Sequence, residues 1–298
     1  MRVQHPLVAP VVTWFDAHAR DLPWRAPDRT PWGVLVSEVM LQQTPVQRVE
    51  PAWRAWMERW PTPADLAAAT PADVLRAWDR LGYPRRALRL QECARAVVAL
   101  HDGDLPTDTV QLLALPGVGT YTAAAVTAFA HGRRAVVLDT NVRRVLARTL
   151  DGQALPPPHL GAAELRRADD VVPPDDATAT RWNAAVMELG ALVCTARAPR
   201  CTDCPVAGLC GWRAAGHPAD AHADRRRRQA WAGTDRQARG RVMAVLRATD
   251  APTTETDLAQ HWPDDAQRAR ALASLVADGL AEAHEPVPGG PRTYRLPR

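Results

Sequence analysis

Apolar positions recur at three- and four-residue spacing through the first 213 residues, as at Leu66, Val74, Leu75, Trp78 and Leu81, which predicts an almost entirely helical region. Several helix starts are marked by Thr-Pro pairs, at Thr30-Pro31, Thr62-Pro63 and Thr70-Pro71. A threonine hydroxyl there can cap the helix while proline takes the first helical position. One segment departs from the amphipathic pattern. TPWGVLVSEVMLQQT is apolar nearly throughout, and Glu38 is its only charge between Arg29 and Arg48. The pattern breaks at 214–235, which is polar, poor in aliphatic residues and carries the run Arg225 to Arg228, so it reads as a basic linker. It resumes over 236–298 with helices at about 238–249, 254–262 and 264–278. A hairpin from Ala281–Glu285 and Thr293–Leu296 follows, turning through Gly289-Gly290. Three helices and a hairpin make a winged-helix-like module, a fold that serves DNA binding or plain packing.

Length and composition sharpen this picture. The chain has 298 residues, 46% hydrophobic and 23% charged, with net charge +4, as for a globular chain of one or two domains. No apolar run is long enough to span a membrane, and the N-terminal Met1-Arg2-Val3-Gln4-His5-Pro6 has no secretory pattern. A cytoplasmic, reducing location is expected, and with it five cysteines that are not disulfide-bonded. All 37 basic residues are arginine, since the sequence contains no lysine. A GC-rich genome accounts for that. Its chemical consequence is that no side chain can form a lysine Schiff base.

Four cysteines, Cys194, Cys201, Cys204 and Cys210, have the spacing C-x6-C-x2-C-x5-C among Pro199, Pro205 and Gly208. Thiolate-only ligation suits zinc or an iron–sulfur cluster, and the single C-x2-C pair favours the cluster. Cys93 lies in a helical stretch and reads as a small buried apolar residue. Between two helical segments stands LPGVGTYTAA (115–124), where Gly117 and Gly119 permit a tight turn and close approach of another backbone. The next helix then offers free N–H groups to a phosphate. Two carboxylates stand out. Glu38 in its apolar run is either desolvated, with a raised pKa suited to donating a proton, or else reaches solvent or an arginine. Asp139, where Val136–Leu138 leads into a helix, reads as an N-cap held ionised by free N–H groups. A protonated acid and an ionised carboxylate together suit glycosidic bond cleavage.

Ser37-Glu38-Val39-Met40-Leu41-Gln42-Gln43-Thr44, the 115–124 hairpin, Leu138-Asp139-Thr140-Asn141-Val142 and the cysteine spacing together resemble adenine DNA glycosylases of the MutY type, in the helix-hairpin-helix glycosylase superfamily. The resemblance covers about residues 7–213. It implies an all-α, two-lobed fold, with a helical lobe at 29–135 and an iron–sulfur lobe built from 1–28 and 136–213; the small α+β winged-helix-like module at 236–298 lies outside the resemblance. It implies removal of adenine mispaired with 8-oxoguanine or guanine in double-stranded DNA by a monomer carrying a [4Fe–4S] cluster on the four cysteines. Glu38 would protonate adenine at N7, Asp139 would stabilise the oxocarbenium-like sugar, and Asn141 and Tyr121 would support them. Trp24, Arg25 and Glu188 match adenine-pocket residues. Gln42, Gln43 and Thr44 match residues near the opposite base, and Tyr83 matches a tyrosine that wedges beside it. Gly117, Gly119, Thr120, Arg197 and Arg200 would contact the DNA backbone. The endonuclease III branch carries a catalytic lysine where this chain has Tyr121, so a glycosylase without lyase action is implied. The family's usual Nudix-like C-terminal domain does not fit in 236–298. A redox-responsive iron–sulfur DNA regulator without catalysis is the competing expectation.

Overall fold

The computed structural model of the chain describes residues 4–225, 231–285 and 292–298. Arg226–Arg228 of the basic run, the Gly289-Gly290 turn and Met1–Val3 lie outside the described residues. The α-helices among the described residues run in chain order as α1 (Val8–His18), α2 (Pro31–Leu41), α3 (Val46–Arg59), α4 (Pro63–Ala68), α5 (Pro71–Trp78), α6 (Arg85–Leu100), α7 (Thr109–Ala114), α8 (Thr120–Phe129), α9 (Thr140–Thr149), α10 (Ala162–Val171), α11 (Asp176–Leu192), α12 (Gly211–Ala214), α13 (Asp235–Ala248), α14 (Glu255–Ala259) and α15 (Asp265–Ala277). The only described strands are β1 (Thr253–Thr254), β2 (Glu282–His284) and β3 (Thr293–Arg295). No helix among the described residues is long and apolar enough to cross a membrane.

The Thr-Pro starts act as expected. Thr62 and Thr70 accept hydrogen bonds from the backbone N–H of Asp65 and Asp73, with Pro63 and Pro71 in the first helical turn. Leu81 falls beyond α5, in a 3-10 turn, because Asp79 takes a left-handed backbone (φ 40°) that stops the helix.

The chain divides into two compact units. Unit 1 comprises Met1–Leu35, Thr107–Ala114 and Val118–Arg227; unit 2 comprises Val36–Pro106, Leu115–Gly117 and Arg228–Arg298. The unit boundaries place α8 with the cysteine-bearing segment and the C-terminal module with the 36–106 helices, groupings that only tertiary packing reveals.

In unit 1, α1 and α9 pack on α11 around Val8, Val11, Val142, Val145, Trp182 and Leu189, all buried. A smaller cluster of Ala125, Ala128 and Val137 carries Tyr121 and Met187 against it. In unit 2, α4 and α5 pack on α6, and Trp56 meets Trp60 and Trp78 edge-on at 4.7 and 5.6 Å between ring centroids. The C-terminal module adds α13 packed on α15 and α5, with β1, β3 and β2 as one antiparallel sheet in that order. The hairpin matches the sequence expectation. The two-residue β1 does not register in the sequence, being too short to show an alternation.

Trp212 donates to the Pro218 carbonyl at 2.8 Å, and Arg76 reaches the module through Asp250 at 2.5 Å.

Candidate active site and iron–sulfur site

Helix α2 is buried from Trp32 through Met40, with Glu38 only 6% exposed. The all-apolar segment is thus a fully enclosed helix, and the alternative of a solvent-reaching Glu38 does not hold.

Asp139 is the N-cap of α9. Its Oδ1 accepts the Val142 N–H at 2.7 Å, and its Oδ2 accepts Asn141 Nδ2 at 2.8 Å. The amide orientation of Asn141 follows from Arg144, whose Nη2, a donor only, points at Asn141 Oδ1 at 2.8 Å and leaves Nδ2 to face Asp139. The cap is as expected; the shift of its carboxyl runs against the usual effect of a cap. Burial is the largest influence and raises the Asp139 carboxyl above its usual range, outweighing the Val142 and Asn141 hydrogen bonds that favour ionisation. The sequence shows the cap but not the desolvation imposed on it by the surrounding fold.

Arg144 also donates to the Gly190 carbonyl at 2.6 Å and to the Cys194 carbonyl at 2.7 Å. A hydrogen-bonded chain therefore runs Asp139–Asn141–Arg144–Cys194 and joins the carboxylate to the backbone of the first cysteine. One turn further along α9, the buried Arg148 donates to Cys194 Sγ at 3.2 Å and to the Thr195 carbonyl at 2.8 Å, and it lies 4.5 Å from the Trp212 ring centroid. Neither arginine stands out in a sequence where every basic residue is arginine.

Cys194, Cys201, Cys204 and Cys210 line one pocket, together with Val145, Leu189 and Trp212. The donor set lining it is four thiols, with His217 Nε2 standing 3.8 Å from Cys201 Sγ. Burial pushes the Cys204 thiol up to about 11, so thiolate there requires a compensating cation. Thr195 bonds the Ala198 carbonyl, and Arg200 donates to the Leu192 carbonyl at 2.9 Å, closing the loop around the cavity. The residues fit a four-thiolate cluster, which when bound would add a rigid, negatively ligated core to this loop. Arg197 is exposed on the same loop, whereas Arg200 is committed to loop structure and to Asp203 at 3.6 Å. Cys93 is buried, and burial pushes its thiol up to about 12, as suits an inert apolar residue.

Glu188 on α11 is fully buried and accepts Arg20 in a bidentate pair, Nε at 2.7 Å and Nη2 at 2.8 Å, as well as Arg25 Nη2 at 3.0 Å. Burial alone would raise this carboxyl, but the Arg20 hydrogen bonds and the Arg25 charge overcome it and hold Glu188 at about 2. Arg20 is a partner that the sequence does not announce. Arg25 Nη1 is buried with no acceptor, and Trp24 beside it is 6% exposed. Because the folded pKa is depressed, the ion pair stabilises the fold above about pH 4.5 and is lost as pH falls towards 2. Glu188→Gln is expected to cost about 3 kcal/mol at pH 7 by stranding two arginines. In denaturant titrations that deficit should shrink by pH 3; an equal deficit at both pH values would refute the assignment.

In unit 2, the sequence-selected residues Gln42, Gln43, Thr44 and Tyr83 are joined by one arginine the sequence reading missed. Arg86 Nη1 donates to the carbonyls of Val39 (2.7 Å) and Gln42 (2.6 Å), and Nη2 to Thr44 Oγ1 and the Gly82 carbonyl (both 3.1 Å). Gln43 (φ 57°) and Tyr83 (φ 48°) both hold left-handed backbones that cost energy in a non-glycine residue. Arg86 pins the two strained loops to each other. Its proximity to Tyr83 in sequence was visible, but five carbonyl acceptors carry no sequence signal.

Gly117 takes φ 78°, and a side chain there would meet Arg89 Cβ at 3.2 Å, so turn and packing both demand glycine. Gly119, the N-cap of α8, has an ordinary extended backbone and open space around it. Nothing within the protein requires glycine there, which suits close approach by an outside backbone. Thr120 opens α8, exposed.

Comparison with known proteins agrees with this geometry. Residues 36–167 match the HhH-GPD superfamily of base excision DNA repair proteins, and 194–210, bounded by the first and last of the four cysteines, match the iron–sulfur binding domain of endonuclease III. An adenine DNA glycosylase of Mycolicibacterium smegmatis is 53% identical over 92% of this chain and 93% of its own length. The human adenine DNA glycosylase is 45% identical over 67% of this chain and 38% of its own. Among solved structures, a thermostable thymine-DNA glycosylase aligns with TM-score 0.63 at 29% identity over 70% of this chain and 95% of its own. Endonuclease III trapped on DNA shares the fold, with TM-score 0.60 at 22% identity over 71% of this chain and 96% of its own. Sequence identity across nearly the whole chain, the four-thiol cavity and the capped Asp139 together place the chain in the adenine DNA glycosylase family of the HhH-GPD superfamily, with an iron–sulfur cluster as its cofactor.

Proposed function

We propose that this chain, acting as a monomer, hydrolyses the N-glycosidic bond of adenine paired with 8-oxoguanine or guanine in duplex DNA and stops at the abasic site. The observation that carries the reading is Asp139, a half-buried carboxylate with both oxygens fixed by Val142 and Asn141. A carboxylate poorly solvated before reaction gains most when positive charge develops on the sugar in front of it, so its stabilisation is spent in the transition state. Glu38, enclosed in α2, supplies the proton to adenine N7 and turns the base into a neutral leaving group. Water then completes the reaction. No lysine exists to form a Schiff base, and Tyr121 stands at the start of α8, packed on the Ala125–Val137 cluster, as a support for the site.

Flipping adenine out of the stack costs a few kcal/mol, and mispairing lowers that cost. In this reading Trp24, Arg25 and Glu188 form the adenine pocket, with Arg25 Nη1 free to meet a ring nitrogen. Gln42, Gln43, Thr44 and Tyr83 meet the opposite base. Gly117, Gly119, Thr120, Arg197 and Arg200 face the backbone, Arg200 through the loop it closes. The working division is a helical lobe at 29–135 and an iron–sulfur lobe from 1–28 and 136–213.

Single-turnover assays on A:8-oxoguanine, A:G and A:C duplexes test the proposal. Excision is expected on the first two, with no borohydride-trapped adduct and with about four irons per chain in anaerobically purified protein. A trapped adduct would refute the hydrolytic route, and no excision on any adenine mispair would favour the regulator.

A further inference from the structure

The C-terminal module has no part in the reading so far, yet unit 2 sets it directly beside Tyr83. Arg76 pairs with Asp250 and reaches the Thr249 carbonyl, Arg247 donates to the Asp79 carbonyl, and Asp278 of α15 receives Arg85 at 3.2 Å and Arg239 at 2.8 Å. These contacts fix the first turn of α13 next to the strained 79–83 loop. There the guanidinium of Arg236 lies 4.9 Å from the Tyr83 ring centroid and 5.2 Å from that of Trp231. Tyr83 is 42% exposed and Trp231 52%, and Arg236 is exposed as well.

Two large rings left in water with a guanidinium between them have little to gain from folding, since the rings remain half solvated. The same trio is what an unstacked or distorted nucleotide engages. Aromatic faces take base stacking, and a guanidinium plane both stacks and donates a pair of hydrogen bonds to the Hoogsteen edge of a purine. The Tyr83 loop is held by Arg86 through the Gly82 carbonyl, so that part of the platform is fixed before DNA arrives.

We propose that Tyr83, Arg236 and Trp231 form one composite DNA-binding platform, in which the C-terminal module supplies Arg236 and Trp231 to hold the purine opposite the adenine. This rests on the reading of Tyr83 as the residue inserted beside that base.

The test uses the full-length, cluster-loaded protein and duplexes whose adenosine carries a 2′-fluoro group to prevent cleavage. Binding is measured for A:8-oxoguanine and for a matched duplex across a salt series. Arg236→Ala and Trp231→Ala are each expected to weaken mispair binding about tenfold and matched binding far less, without moving the melting temperature. Arg236→Lys, which keeps the charge, should retain matched-duplex affinity and lose the mispair preference. The Tyr83→Ala/Arg236→Ala double variant should lose less than the product of the single losses, because the two side chains act as a unit. If Tyr83→Ala weakens mispair binding while Arg236→Ala and Trp231→Ala do not, the platform is refuted and the wedge reading stands. If the Arg236 variant loses equally on both duplexes, with the salt slope reduced by about one, Arg236 is only a phosphate contact and the proposal fails. If Tyr83→Ala itself has no effect, the wedge reading fails and the platform falls with it.

Discussion

Asp139→Asn is expected to lower the rate of adenine excision by about a hundredfold to a thousandfold while leaving a folded protein that still binds the mispair. Glu38→Gln should do the same. The two substitutions remove different chemistry. In the proposed mechanism, the developing sugar cation loses its counter-charge without Asp139, and the adenine must leave as an anion without Glu38. Each effect falls within the range of about 10²–10⁴ for a positioned acid or about 10²–10³ for one electrostatic partner, and the two positions share no surrogate. For Asp139 the stability sign is informative. Its folded pKa is raised, chiefly by burial, so the folded state binds its proton more tightly than the unfolded chain does. Stability from this group is therefore present below the unfolded carboxylate pKa and is lost as pH rises through the folded value. At pH 7 the carboxylate is a liability to the fold. Asn keeps an oxygen to accept the Val142 N–H, but sets its own N–H₂ against Asn141 Nδ2, a loss of about 1 kcal/mol. The two changes oppose each other, and the melting temperature of Asp139→Asn should stay within a few degrees of the parent. Single-turnover excision with parallel thermal melts decides. A variant that excises at a tenth of the parental rate or better would remove Asp139 from the chemistry. A variant that fails to fold would show that the carboxylate is structural.

What the sequence discloses and what it hides divide along a physical line. Local patterns were legible: the Thr-Pro starts of α4 and α5, the enclosed α2, the Asp139 cap, the four-cysteine loop and the three helices of the module all depend on neighbours within a few residues. What stayed hidden depends on partners far along the chain. Arg20 meets Glu188 across 168 positions, Arg144 meets the Cys194 carbonyl across 50, and Arg76 meets the Thr249 carbonyl across 173. In most proteins the choice of arginine over lysine hints that a basic side chain is held in a planar, multidentate contact. Here that hint is erased, because all 37 basic residues are arginine. Arg86, Arg144 and Arg148 therefore look the same in the sequence as the exposed Arg197. The same absence of lysine that conceals the structural arginines is what removes the Schiff-base route. Composition thus constrains the chemistry while obscuring the scaffold.

Gly190→Ala is expected to destabilise the protein by about 3 kcal/mol and to abolish excision, although alanine is the better helix former. In an open helix, Gly→Ala stabilises by about 0.5–1 kcal/mol. Gly190 sits near the end of α11 where that helix crosses α9. A Cβ there would stand 2.7 Å from Asn141 Cβ, 2.9 Å from the Asn141 carbonyl oxygen and 3.0 Å from its carbon. Two of those three atoms are backbone and the third is rigidly attached to it, so no side-chain rotation relieves the clash. The helices must separate, at about 1–3 kcal/mol or more for overpacking, on top of the forfeited propensity gain. Asn141 moves with α9, and with it goes the hydrogen bond that orients Asp139. The Gly190 carbonyl that receives Arg144 moves too. Activity should therefore fall further than stability accounts for, even at temperatures where the variant is fully folded. Gly240 in α13 is the internal control. The nearest atom to its added Cβ is the Trp231 ring at 3.9 Å, an ordinary contact, so Gly240→Ala should raise stability by up to about 1 kcal/mol and leave excision unchanged. Thermal melts and single-turnover rates on both variants settle the point. Opposite signs of stability change are required; a stabilised, active Gly190→Ala would mean that the approach of α9 to α11 is looser than these distances allow and that Asn141 is not held by it.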